Sequence, residues 1–410
     1  MIKVYRMLLI FAGMFSLAGW QACKKDDVAV NDERRDRIAS ALQDIQEDLE
    51  AQLGYEVPPV SVLIQDAVAT YFVTTAKAGQ AMTSMTYYRF ASNTKNITSA
   101  AILNMYEDGW LDYNALITDT IPGSDSTYVP AYRDFPYRDR ITIAQLLNHS
   151  AGVFDIDNDN IHGDSAGSSY TETVLESDPD HQFTYDELIG VLQANNLSYF
   201  EPGMGYHYSN TGYTILAEII ERVYSVKANA PKRYSDYLQD YLFGPAGREP
   251  LDIRFPYLAT DQQLPSPYMT GKINEADKVT VTDRVNVSQH VAEGNAVTTM
   301  QQLNTYIRRL MKGESILEPG TVKIMTGTTS LANPNYGLGT TYTPNLGYGH
   351  NGATSGYLSL MAYDPETDVS LVVTFPLWDL RSDEHFGMCF NTLYNAAYAA
   401  REALGYPGKP

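Results

Sequence analysis

Apolar residues recur at helical spacing along several stretches of the chain and run together in others. Ile38, Leu42, Ile45 and Leu49 mark one face of the charged segment Asp32 to Gln52, which predicts an amphipathic helix. Ile97, Ala101 and Met105 fall on one face after Ser92, with Gly109 placed to stop the helix. Ile215, Ile219 and Val223 predict a helix over Asn210 to Val226; two more are expected over Gln301 to Met311 and from about His385 to Leu404. The runs Val57 to Ile64 and Ala67 to Thr75 flank Gln65-Asp66 and read as a β-hairpin. Tyr357 to Tyr363 and Val369 to Phe375 read as strands joined by a turn at Asp364 to Thr367. Strands near both ends with helices between them predict an α+β fold, one antiparallel sheet closed around a helical insertion. The sheet lobe is expected from about 32–90 and 291–410, and the mostly helical lobe from about 91–290. Residues 153–180 are polar and acidic and are expected as a long surface loop.

The chain opens with Lys3 and Arg6 ahead of an apolar run from Met7 to Gly19, the layout of a secretory signal. Leu17-Ala-Gly-Trp-Gln-Ala-Cys23 resembles a bacterial lipoprotein signal, although Trp20 and Gln21 depart from the usual pattern. That resemblance implies a signal peptide over 1–22, lipidation of Cys23, a membrane contact through that lipid, and a place in the bacterial cell envelope. A tether over 23–31 and a single catalytic unit over 32–410 complete the expected organisation. Acidic residues outnumber basic ones 49 to 29, a formal charge of −20. Such a balance argues against a nucleic-acid partner, which needs basic surface to displace counterions. Two cysteines make neither a disulfide framework nor a four-cysteine zinc site.

Ser92-Asn-Thr-Lys95 places a hydroxyl at a helix start and an amine one turn on, on the same face. An adjacent amine can take the proton of a weakly nucleophilic serine, and the helix N-terminus favours an oxyanion nearby. Ser-x-x-Lys alone is common by chance. Three further blocks follow in order: Ile141 to Gly152, ending Asn148-His149-Ser-Ala-Gly152; Glu201-Pro-Gly203 through Tyr208-Ser-Asn210; and Gly349-His350-Asn-Gly352-Ala353. Together they resemble the serine β-lactamase family, in the branch of class C β-lactamases, D,D-carboxypeptidases and related esterases. The resemblance implies a β-lactamase/transpeptidase-like fold with the active site between a sheet lobe and a helical lobe.

It also implies roles. Ser92 would form the acyl-enzyme, Lys95 and Tyr208 would move protons, and Asn210 would hydrogen-bond Lys95 and the substrate amide. His350-Asn-Gly352 stands where the family has Lys-Thr-Gly. His350 would line the substrate site, where a neutral imidazole attracts a carboxylate less than an ammonium does; if it binds one as a cation, KM should rise as pH passes its pKa. Gly352 would let substrate approach, and the N–H groups of Ser92 and Ala353 would form the oxyanion hole. The implied substrates are D-amino-acid peptides such as peptidoglycan stems, or a related lactam or ester, with no metal and no organic cofactor. An esterase on the same site and a non-catalytic penicillin-binding or peptidoglycan-sensing protein are the alternatives.

Other motifs carry less. Gly163-Asp-Ser165-Ala-Gly167 lacks the strand and helix of a nucleophile elbow. Asp155-x-Asp157-x-Asp159 lacks the glycine and glutamate of a calcium loop. His149 is expected to hold a turn by hydrogen bonds, and His162, His181, His207 and His290 show no metal-ligand spacing.

Overall fold

A computed structural model describes residues 20–77, 82–163 and 167–410, with side chains described from residue 32 onward. The expected signal peptide and the Cys23 side chain fall outside the described set, as does the centre of the Gly163–Gly167 motif. The helices are α1 (Trp20–Leu53), α2 (Thr94–Glu107), α3 (Ile143–Leu147), α4 (Tyr170–Ser177), α5 (Tyr185–Asn195), α6 (Asn210–Ala228), α7 (Tyr234–Tyr237), α8 (Met300–Lys312), α9 (Pro319–Gly327) and α10 (Asp383–Ala403). The expected tether 23–31 is the first part of α1. The strands are β1 (Ser61–Gln65), β2 (Thr70–Thr74), β3 (Tyr87–Arg89), β4 (Gly271–Asn274), β5 (Val279–Thr282), β6 (Val297–Thr299), β7 (Thr341–Thr343), β8 (Gly347–Thr354), β9 (Tyr357–Asp364), β10 (Val369–Phe375) and β11 (Leu377–Asp379).

The main sheet has the order β2-β1-β10-β9-β8-β7, and every recorded pair in it is antiparallel. Strands from both ends of the chain thus close one sheet, with Val62 opposite Val373 and Leu63 opposite Val372. The hairpin between β1 and β2 turns on Asp66, whose Oδ1 accepts from the N–H groups of Val68 and Ala69 at 2.8 Å each.

The two faces of the sheet build two cores. Val62, Ile64, Leu371 and Val373 meet Ile38 and Leu42 of α1 and Leu393 and Ala396 of α10. Leu63, Met361 and Val372 face the other way, toward Leu303 and Ile307 of α8 and the helical lobe. Period-two alternation in β1 sends neighbouring residues to opposite cores. Each leucine or isoleucine fully buried this way contributes roughly 1.5–3 kcal/mol. β9 and β10 are buried along their whole length because helices cover both faces.

The 153–180 segment corrects the sequence reading. It contains α4, and Asp155 is buried, turned inward toward the start of α6. Polar composition suggested a surface loop, but Asp155 and Asp157 find partners in Asn210 and Thr171 and turn inward, while Glu172, Glu176, Asp178 and Asp180 stay exposed.

Candidate active site

Ala91–Asn93 form a single 3-10 turn that runs into α2. Ala91 adopts φ +50°, the left-handed region, at a cost of about 1–2 kcal/mol for a residue with a Cβ. Buried polar groups hold the turn. Asn93 Nδ2 donates to Phe90 O at 2.8 Å and to Ser359 Oγ at 2.6 Å, and Thr94 Oγ1 donates to Ala91 O at 2.7 Å. Gly352 of β8 presses on the same turn. A Cβ there would lie 2.4 Å from Phe90 O and 2.9 Å from Ser92 N, so only glycine fits. The result is a partly exposed Ser92 between buried Ala91 and Asn93.

Lys95, one turn on, is fully buried. Its Nζ lies 3.2 Å from Ser92 Oγ and donates to Asn210 Oδ1 at 2.7 Å, Glu293 O at 3.0 Å and Glu293 Oε2 at 3.0 Å. Nζ also sits 4.8 Å from the centre of the Tyr208 ring. Asn210 opens α6 and Ser209 caps it, its side chain accepting from Gly212 N. Tyr208 therefore projects from the last residues before a helix that is itself anchored. Burial pushes the Tyr208 phenol well above its ordinary value; the Ser92 hydrogen bond opposes this, and the Glu293 and Asp155 charges add to it. Such a phenol is a proton donor at rest, not a phenolate. The structure brings Ser92, Lys95, Tyr208 and Asn210 together at the head of α2.

His350 does not behave as expected. It is buried, and its protons are fixed by its neighbours. Its Nδ1–H donates to Asn351 O at 2.5 Å, so Nε2 carries the lone pair and accepts from Tyr336 O–H at 2.9 Å. Tyr336 in turn accepts from His149 Nε2–H at 3.1 Å, and His149 Nδ1 accepts from Ser209 N–H at 3.1 Å. Burial lowers His350 to about 3, the Asn351 carbonyl works against that, and the Lys95 charge adds to it. His350 is thus a neutral link in a chain that steadies the turn before α6, not a cation. Tyr336, which the sequence reading passed over, is the centre of that chain.

A second group was also missed. His290, in a short 3-10 turn, places Nδ1 against Glu293 Oε1 and 3.3 Å from Asp157 Oδ2. Asp157 Oδ2 accepts from Asn210 Nδ2 at 2.7 Å and its Oδ1 from Thr171 Oγ1 at 2.6 Å. Asp155 Oδ2 accepts from Asn210 N–H at 3.0 Å. Burial opposes the charge on His290, but Asp157 and Glu293 outweigh it and raise His290 to about 10. Burial likewise opposes the charge on Asp157, yet His290 brings it down to about 2. Asp155, buried beside Asp157, is pushed up to about 7. The ligand atoms of Asp157, His290 and Glu293 lie within 4.8 Å of one another, close enough for a metal ion. The same atoms already pair among themselves and with Lys95: His290 Nδ1 faces both carboxylates, and Glu293 Oε2 lies 3.0 Å from Lys95 Nζ.

A cavity of about 600 Å³ opens over Ser92, walled by Tyr208, Asn210, Ala353, Trp378, Asp159 and Glu172; among the described residues no lysine or arginine lines it. The edge of β8 beyond Gly349 carries no outer strand among the described residues, since β7 pairs only with Gly347–Gly349. Ala353 lies on that open edge, at the cavity.

A family model described as Beta-lactamase matches residues 46–384. The chain belongs to the beta-lactamase family of serine hydrolases. Relatives within this beta-lactamase family include penicillin-binding protein 4* of Bacillus subtilis (strain 168), 30% identical over 162 residues, which are 39% of this chain and 29% of that protein. A putative D-alanyl-D-alanine carboxypeptidase of Salmonella newport (strain SL254) is 27% identical over 174 residues, 40% of this chain and 33% of that one. These matches span about a third of the relatives' length or less. In fold, the chain is similar to the D-amino acid amidase of Ochrobactrum anthropi SV3, solved with L-phenylalanine amide (TM-score 0.69, 23% identity, 90% of this chain, 98% of that one). The D-stereospecific amidohydrolase of a Streptomyces species is similar too (TM-score 0.67, 21% identity, 87% and 98%).

Proposed function

We propose that this beta-lactamase-family protein hydrolyses D-amino-acid peptides or amides through an acyl-enzyme on Ser92. The observation that carries the reading is Lys95 Nζ, buried and bridging Ser92 Oγ and Asn210 Oδ1 at the head of α2. In this reading Ser92 attacks the carbonyl, and the N–H groups of Ser92 and Ala353 receive the oxyanion at the turn where Gly352 brings strand and nucleophile together. Tyr208, whose phenol keeps its proton at rest, hands it to the leaving nitrogen. Water then releases the acid. Both D-alanyl-D-alanine carboxypeptidase and D-amino acid amidase occur among the names of similar proteins. The neutral His350 and the lack of a lysine or arginine among the described residues lining the cavity favour the amide or ester over a substrate gripped by its terminal carboxylate. The lipid anchor at Cys23 and the envelope location belong to the same proposal and rest on the sequence of residues 1–27.

The test is covalent labelling. A fluorophosphonate and a fluorescent penicillin are offered to the purified protein and the adduct is located by mass. Labelling of Ser92 that disappears in Ser92→Ala is expected. An unlabelled wild-type protein, together with no turnover of D-alanine amide, would leave the fold without this chemistry.

A further inference from the structure

The hydrogen bonds of Lys95 pose a problem of proton count. An ammonium has three N–H donors and no lone pair. The three shortest contacts of Nζ are to Asn210 Oδ1 at 2.7 Å and to Glu293 O and Oε2 at 3.0 Å each; Ser92 Oγ is farthest, at 3.2 Å. With those donors committed, Nζ cannot accept the Ser92 proton until it gives up one of its own. An amide oxygen and a backbone carbonyl do not hold a proton at neutral pH. Of the three committed acceptors, the Glu293 carboxylate alone is a base that can take the proton up.

We propose, building on the Ser92 acyl-enzyme reading above, that Glu293 holds the surplus proton of Lys95 while Ser92 is acylated. The steps balance. One Nζ–H bond breaks and a Glu293 Oε2–H bond forms, so ammonium and carboxylate become amine and carboxylic acid. The freed lone pair takes the Ser92 Oγ–H proton as Oγ bonds to the carbonyl carbon and the π pair moves to oxygen. Tyr208 protonates the leaving group as the scissile bond breaks, and Lys95 replaces the phenol proton. The proton on Oε2 then returns to Nζ.

Asp157 and His290 make the exchange tolerable in a buried site. Asp157 and the His290 imidazolium compensate each other, so the row Asp157, His290, Glu293, Lys95 carries no net charge before or after the transfer. His290 Nδ1 orients Glu293 through Oε1 and leaves Oε2 to Lys95. Its Nε2–H needs an acceptor as well. The Gln289 amide lies 3.0 Å away, and turning it by half a revolution presents its oxygen there, which also employs the buried Oε1 that otherwise has no partner. His290 and Asp157 are positioning residues, and Glu293 is the proton store.

A transfer inside the pair takes no proton from solvent, so the rate of Ser92 attack is independent of pH as long as the pair is intact. With glutamine at 293 one proton must leave to water, and the rate then rises with pH by up to about tenfold per unit. The titratable groups facing Lys95 and Glu293 are Asp155 and Asp157 from the 153–163 segment, His149 after α3, Tyr208 and Tyr213 at α6, His290, and His350 with Tyr336 behind it. Of these only Asp155, at about 7, changes charge near neutrality, so the window is set above it.

The second-order rate of Ser92 labelling by a fluorophosphonate is measured from about pH 7.5 to 9 in wild type, Glu293→Gln and His290→Gln. Wild type and His290→Gln are expected to be flat. Glu293→Gln is expected to be slower than wild type at pH 7.5 and to climb by up to about 30-fold across the window. A Glu293→Gln profile that is flat, or a wild-type profile that climbs tenfold per unit, overturns the proposal. Should Glu293→Gln fail to fold, the wild-type and His290→Gln slopes decide alone. Labelling of wild-type Ser92 with the wrong slope counts against Glu293 only, whereas no labelling removes the hydrolase reading itself.

Discussion

Two histidines of the Lys95 network, the partly exposed His290 and the buried His350, have opposite charge states. His290 has carboxylates of Asp157 and Glu293 against the same nitrogen, and their charges outweigh the cost of burial. His350 has a phenol and a backbone carbonyl as partners, neither of which compensates a cation, and burial keeps it neutral. The charged wall of the site is therefore the one built from the 155–157 segment and the 288–293 turn. The β8 wall, where the family resemblance put a cation, contributes shape and backbone. Residue type does not set the charge of a buried histidine; the net charge of its contacts does.

The contrast can be broken most forcefully at Asp157. Asp157→Asn leaves the imidazolium with one carboxylate, which Lys95 also uses, and is expected to cost about 3–5 kcal/mol in denaturant unfolding at pH 7. His290 is raised in the folded state, so its contribution is complete below its unfolded value near 6.5 and fades as pH rises through about 10. The difference between variant and wild type should shrink accordingly in alkaline buffer. A loss below about 1 kcal/mol at pH 7 would mean the pair is not the source of the His290 charge. On the neutral side, Tyr336→Phe removes the donor to His350 and the acceptor of His149, and about 1–3 kcal/mol of stability should go with them. An unchanged melting temperature would show that this chain carries no load. The smallest effect is an absence of change. Because His350 ionises only near 3, KM for a D-alanyl-D-alanine peptide should not vary from about pH 5 to 8 in an Asp155→Asn variant, which removes the cavity carboxylate that titrates at about 7. A KM that climbs across that range would restore the cation to β8.

The legible and illegible parts of this site differ in how they are spaced along the chain. Ser92 and Lys95 are one helical turn apart, and Tyr208 and Asn210 flank a helix cap, so local spacing alone makes each pair visible. The sheet was legible for a similar reason, since β1, β9 and β10 are short runs dominated by apolar residues. Glu293 reaches Lys95 from 198 residues away and His290 sits in an irregular turn, so no periodicity announces either. Asp155 and Asp157 were hidden by their neighbourhood. An acidic stretch reads as surface until Asn210, Thr171 and His290 are seen to receive its carboxylates. Tyr336 was hidden among 31 tyrosines, distinguished only by what its hydroxyl joins.

The missing side chain at position 352 has a mechanical meaning. With no atom to spare between β8 and the Ala91–Asn93 turn, the nucleophile is seated on the edge of the sheet instead of standing beside it. Any sliding or fraying of that strand is transmitted undamped to the serine amide, so the stiffness of the sheet, secured by α1 and α10 on its far face, becomes the stiffness of the reacting group.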